Sequence, residues 1–122
     1  MTPDEFDLAV QQAWNELPRD LRRSITNVVI VVEDRADEET LDLAEIDDPM
    51  ELYGFYHGIP LTARGNDYGL LLPDKISIYR DPIVAACVND EEVRAFVRKT
   101  VRHEIAHYFG IDDERLEELD AY

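Results

Sequence analysis

Apolar residues recur every three or four positions near the start of the chain, which is the spacing of a helix with one buried face. The residues at the beginning of this stretch are typical of a helix start, with Thr2 as N-cap, Pro3 at the first helical position and Glu5 at the third. Leu17 is the last residue of the pattern, and Pro18 follows it. The sequence therefore predicts a first helix, and Pro18 either closes this helix or opens a short turn through residues 21–24.

Three further stretches have the residue types and alternation of strands. Residues 27–33 are a continuous run rich in valine and isoleucine, which predicts a buried strand. Residues 75–80 alternate apolar with polar side chains and predict another strand. Residues 51–56 alternate less regularly and predict a third, bounded by Gly54 and Gly58.

The longest predicted helix covers residues 89–109. Asn89 is a good N-cap, and Glu92 lies at the third helical position as in a capping box. Gly110 suits the left-handed position that ends a helix and turns the chain back. At 100° per residue the apolar side chains form one stripe, opposite a face of arginine and lysine. The stripe contains Val93, Phe96, Val97, Thr100, Val101 and Tyr108.

The remaining stretches complete an alternation of helices and strands. Short helices are predicted over residues 40–44 and 82–88, and a final helix would place Leu116 and Leu119 over the end of the long helix. Residues 59–74 form a loop long enough to be a lid or a cleft wall. We therefore expect an α+β fold in which a small twisted mixed sheet of three or four strands packs against helices. With no repeat and no linker, residues 1–122 are predicted to form one domain.

The composition bears on the environment of the protein. Apolar residues make up 45% of the chain without any long apolar run, which is typical of a soluble globular protein. The start of the chain is acidic and does not resemble a signal peptide. The single cysteine, Cys87, excludes an internal disulfide and suits a reducing compartment. We therefore expect a soluble cytoplasmic protein.

The charge is strongly negative, with 28 acidic and 12 basic residues and a formal net charge of −16. Such a charge argues against nucleic acid and against an anionic membrane surface as partners. The most acidic segment, residues 34–51, is interpreted as a solvated surface. Its spacing does not fit a calcium-binding EF-hand loop.

The long helix also carries the candidate chemistry, an H-E-x-x-H sequence formed by His103, Glu104 and His107. Residues four apart share a helix face, so the two imidazoles can bind one ion. Glu104 lies about 100° further round the helix, beside the ion, where it can act as a base toward water. All three fall within the apolar stripe, where ionisable groups are costly unless something pairs them. A metal, usually zinc, would do so, although two chance or purely structural histidines remain the alternative.

The third metal ligand must come from a residue outside the H-E-x-x-H motif. A sharp turn at Gly110 can bring Asp113 back toward the histidines, which makes Asp113 the candidate. The neighbouring acids Asp112 and Glu114 are the alternative candidates. All three acids could instead lie at the N-terminus of the last helix without binding metal. His57 is expected to be an exposed loop histidine. A role as a metal ligand or as a donor to an oxyanion is the less favoured interpretation.

The sequence from His103 to residue 116 resembles the motif of the minimal zincins, small bacterial proteins described as zinc metallopeptidases. The resemblance extends over residues 27–34, 52–61 and 72–80, in the expected order. It implies a zincin-like fold in which Zn²⁺ is bound by both motif histidines and by Asp113. In zincins an edge strand borders the metal site and pairs with extended substrate. The resemblance does not distinguish between residues 51–57 and residues 75–80 for that role.

Two functions follow as hypotheses. The first is a zinc-dependent peptidase acting on peptides or proteins, in which Glu104 takes a proton from water and delivers it to the leaving amine. The alternative is a non-catalytic zincin-like domain that binds metal or another protein. Retention of Glu104 together with both histidines favours the first hypothesis.

Overall fold

The computed structural model describes residues 1–58 and 74–111. They form helices and a mixed sheet in the predicted order, with an additional short helix over residues 19–24, where only a turn was expected. The helices are α1 (Pro3–Asn15), α2 (Arg19–Ser24), α3 (Glu38–Ala44), α4 (Arg80–Ala85) and α5 (Asp90–Tyr108), and a 3₁₀ turn covers Pro49–Glu51. The strands are β1 (Val28–Glu33), β2 (Gly54–His57) and β3 (Asp74–Tyr79). No helix in this part of the chain is both long and apolar enough to cross a membrane.

The described strands form one three-stranded sheet in the order β1-β3-β2. Strand β1 runs parallel to β3, with Ile30 beside Ile76, and β2 runs antiparallel to β3, with Tyr56 beside Ile76. Strand β3 is therefore the central strand, and among the described residues β2 is paired on one side only. The predicted α+β fold with a small mixed sheet is confirmed.

The main core lies between the sheet and the helices α1 and α5. Phe6 of α1, Val97 and Val101 of α5, and Ile76 and Ile78 of β3 are fully buried there. Each such side chain contributes about 1.5–3 kcal/mol through removal of apolar surface from water. This packing holds α5 against the sheet and thereby fixes the orientation of the helix face that carries the motif.

A smaller core covers the opposite side of the sheet. Tyr79 lies there with Leu41 of α3 and with Leu52, which precedes β2. Side chains alternate between the two faces of a strand, so Tyr79 points away from the side that holds Ile78. The segment between β1 and β2 is thus anchored to the sheet by its apolar residues, although most of its residues are polar.

The ends of α5 follow from its sequence. The side chain of Asn89 accepts a hydrogen bond of 2.8 Å from the backbone of Glu92, as an N-cap should. The carboxylate of Glu92 accepts from the backbone N–H of Val88 rather than that of Asn89, so the predicted capping box is displaced by one residue. At the other end Gly110 has φ 85°, and Ile111 N–H donates to Ala106 at 3.0 Å, as in a Schellman motif.

Several details differ from the sequence-based expectations. Strand β1 was expected to be buried, yet Val29 is 44% exposed. Side chains alternate along a strand, so Val29 lies on the face opposite Ile30, which packs against the main core. Helix α4 begins at Arg80 and ends at Ala85, earlier than predicted. A final helix was expected to cover the end of the long helix, but Ile105, near that end, is buried in the main core. That final helix and nearly all of the expected loop, residues 59–73, lie outside the described residues.

Candidate metal centre

The last turns of α5 bring the three motif side chains together. One potential ligand atom from each of His103, Glu104 and His107 lies within 4.8 Å of the others. The two imidazole rings meet edge to face, with centroids 4.5 Å apart and planes at 75°. Two imidazoles and a carboxylate are donors of the type that zinc binds, so these residues fit a metal of that kind.

Glu104 is the buried member of the group, with only 5% of its surface exposed. Its Oε1 lies 3.2 Å from Nδ1 of His107. If Nδ1 carries the imidazole proton, it donates to this carboxylate, and Nε2 then carries the lone pair that a metal can bind. In that tautomer the contact compensates for the burial of Glu104 and places the lone pair of His107 on Nε2.

The motif opens into a groove of about 860 Å³. One wall is a single face of α5, on which Phe96, Thr100, His103 and His107 follow each other at intervals of three or four residues. The facing wall is formed by β2 and the residues before it. Of the two strands that the resemblance left open, β2 therefore borders the groove, and β3 is the inner strand of the sheet.

Comparison with known proteins agrees with this site and fold. A family model described as zincin-like metallopeptidase matches residues 25–122. The chain belongs to the zincin-like metallopeptidase family. Family membership implies a bound metal, typically zinc, and the predicted relationship to minimal zincins is confirmed.

Other comparisons are less informative about function. No curated protein matches this zincin-like chain. Among solved structures, a conserved hypothetical protein from Thermus thermophilus is similar, with a TM-score of 0.57 and 21% sequence identity. The alignment covers 98% of each chain. At this identity the likeness shows a shared fold.

Gly54 brings the strand and the motif helix of the zincin site into close contact. A Cβ atom at this position would lie 2.7 Å from Cγ2 of Thr100 and 3.3 Å from Cγ of Glu104. Strand β2 therefore approaches α5 at the level of the buried carboxylate, at a distance that only glycine allows. From the sequence, Gly54 was expected only to bound the strand. A glycine within a strand pattern can instead signal close backbone approach.

We expect Gly54→Ala to destabilise the protein by about 1–3 kcal/mol, because the added methyl group must displace β2 or α5. The free energy of unfolding in urea would measure this loss. Thr100→Ser removes the Cγ2 atom but keeps the hydroxyl that donates to the carbonyl oxygen of Phe96. The double variant should therefore recover most of the stability lost by Gly54→Ala. Absence of recovery would show that this contact is not the cause.

His57 lies in β2 and is half-buried, so its interpretation as an exposed loop histidine was wrong. Because side chains alternate along a strand, it points to the side opposite Gly54. There its Nε2 lies 3.2 Å from Oγ of Ser77. Burial, and then the positive charge of Lys75, lower the pKa of His57. The structure thus does not bring His57 together with the motif histidines. The candidate ligand Asp113 and its rivals lie outside the described residues.

Proposed function

We propose that this zincin-like protein hydrolyses peptide bonds, with Zn²⁺ held by His103, His107 and Asp113. The observation that supports this function best is the position of Glu104, which is buried beside the two histidines and next to an open groove. A site that bound metal only through the two histidines and Asp113 would not need a further carboxylate at this position. The substrate would be a peptide or protein, with no part for nucleic acid or membrane, and the location would be cytoplasmic.

Zinc in such a site supplies a Lewis acid that polarises a carbonyl group and lowers the pKa of water. Glu104 is the proposed general base, which accepts a proton on its carboxylate and passes it to the leaving amine. The contact between Glu104 and His107 keeps the carboxylate directed along the helix toward the ligand face. Close packing of Gly54 on the same side chain limits its rotation.

Strand β2 is the proposed binding edge for substrate. In the described part of the chain β2 is hydrogen-bonded to β3 alone, and its other side borders the groove. An extended peptide added to this edge would gain backbone hydrogen bonds that do not depend on its sequence. It would also lie alongside the motif face of α5.

The proposed third ligand can be tested by alanine substitution of three neighbouring acids. We expect Asp113→Ala to lower zinc affinity by about 100-fold or more. This loss is larger than the one expected for a residue that only hydrogen-bonds to a metal ligand. Asp112→Ala and Glu114→Ala should change it little. Competition with a chromophoric chelator measures all three affinities. A large loss in either neighbour with none in Asp113→Ala would mean that the chain after Gly110 takes a different course.

The peptidase function is tested by metal removal and restoration. Protein purified without a histidine tag would be incubated with a broad peptide library, and new termini would be identified by mass spectrometry. We expect cleavage by the zinc-loaded protein, loss of cleavage after treatment with a chelator, and recovery when zinc is returned. Failure of the fully loaded protein to cleave any peptide would favour the non-catalytic metal-binding alternative.

A further inference from the structure

The groove continues beyond the histidines into a part with apolar walls. This part is lined by Leu43 and Ile46, at the end of α3 and just after it. It is also lined by Tyr53, which precedes β2, and by Phe96 of α5, and the rings of these two residues are in contact with centroids 4.8 Å apart. Leu43 is 65% exposed, although it is a large apolar side chain next to a groove. An exposed apolar residue that adjoins other apolar residues of a groove is typical of a ligand-binding site, whereas an isolated one is common on any protein surface.

The distance of this apolar part from the histidines can be read from α5. Phe96 precedes His103 by seven residues, which is about 10 Å along a helix at 1.5 Å per residue. An extended chain advances about 3.3 Å per residue, so about three substrate residues span the same distance. A peptide lying along β2 would thus place a side chain in the apolar part about three positions from the bond next to the histidines.

The segment of the chain that carries Leu43 and Ile46 is acidic. The described residues 36–51 contain no lysine or arginine. The acidic rim is defined as Glu51, which lines the groove, and the exposed residues next to Leu43 and Ile46 in the chain, namely Asp42, Glu45, Asp47 and Asp48. Lys99 is the single lysine or arginine among the residues that the structure describes along the groove. Such a field attracts positive charge beside the apolar contact and repels acidic peptides.

From these features we propose that the groove selects extended peptide segments with a large apolar side chain about three residues from the cleaved bond, next to lysine or arginine. This inference rests on the proposed peptidase function and specifies its substrate class. Leu43 and Ile46 bind the apolar side chain, and the acidic rim around them binds its basic neighbour. The acidic segment that the sequence suggested to be only a solvated surface then forms part of the binding site.

Binding is tested separately from cleavage by using the zinc-loaded Glu104→Gln protein, which should hold peptides without cutting them. Labelled peptides would carry leucine, phenylalanine, alanine or aspartate at each of the three positions on either side of a central bond. Each peptide would have a lysine or a glutamate neighbour, and fluorescence anisotropy would report affinity. We expect the best binding from peptides that have leucine or phenylalanine at the third position on one side of the central bond and lysine next to it. No preference at that position on either side would overturn the proposal.

The apolar contact has a matched pair of variants. Leu43→Asp should weaken binding of the best peptide by about tenfold, because it removes an apolar surface that the peptide buries. Leu8→Asp makes the same change at a leucine of α1 that is 53% exposed, and it should have no effect. Equal effects of the two would contradict a role for Leu43. Loss of a dimer in Leu43→Asp, seen by sedimentation, would mean that a second copy covers this surface and would also overturn the proposal.

The acidic rim has its own pair. Asp47→Lys should reduce the preference for peptides with a lysine neighbour over peptides with a glutamate neighbour. Asp7→Lys on α1 changes the net charge by the same amount and should leave this preference unchanged. The preference should be larger at about 0.1 M than at about 1 M salt, because salt screens exposed charges. Cleavage of library peptides without these preferences would overturn the proposed selectivity while the peptidase function stands. Absence of both binding and cleavage by the loaded protein would overturn both.

Discussion

Replacement of either motif histidine by alanine is expected to abolish tight zinc binding while the fold is kept. His103 and His107 are only partly buried, and alanine is a good helix former, so neither change should unfold α5. Each change removes one of the two proposed ligands that the helix presents on a single face. Metal content after dialysis, measured by mass spectrometry, would fall from about one zinc per chain to background.

The third histidine provides a matched control for these variants. His57 lies on the opposite side of β2, against Ser77, and His57→Ala should therefore retain zinc. Metal binding should also weaken as the pH falls below about 6 to 6.5, because only a neutral imidazole can act as a ligand. Retention of zinc by both His103→Ala and His107→Ala would show that the motif does not bind metal.

Replacement of Glu104 is expected to separate catalysis from metal binding. Glu104→Gln keeps the volume of a side chain that is 5% exposed and packed near Gly54, so the site should remain assembled. It removes the group that can accept a proton, and loss of a general base commonly lowers turnover by about 10²- to 10⁴-fold. The zinc-loaded variant should therefore contain as much metal as the parent protein and cleave library peptides far more slowly.

Metal content and cleavage must be measured on the same preparations for this comparison. Equal cleavage by the parent and by Glu104→Gln would point to a contaminating protease. Loss of zinc from Glu104→Gln would instead make Glu104 a ligand, a possibility that the 4.8 Å grouping of the three side chains allows. These two outcomes are distinct, because the first leaves the metal in place and the second removes it.

Much of the local structure was determined by short-range sequence signals. Thr2 and Glu5 form both hydrogen bonds of the predicted capping box, at 3.0 and 3.1 Å. Asn89 and Gly110 begin and end the motif helix as expected. Within that helix a spacing of four residues is sufficient to place two imidazoles on one face. Such features depend on residues a few positions apart, so the sequence alone determines them.

Only the tertiary structure decided how distant segments meet around the motif. The strand that borders the groove, the contact of Gly54 with Thr100 and Glu104, and the side of the sheet that carries His57 all depend on the order β1-β3-β2. A valine-rich run is compatible with an inner or an outer strand, and a one-residue change of register reverses the side that each residue faces. Pairing between segments far apart in the chain has no local signature, because packing of the whole core selects it.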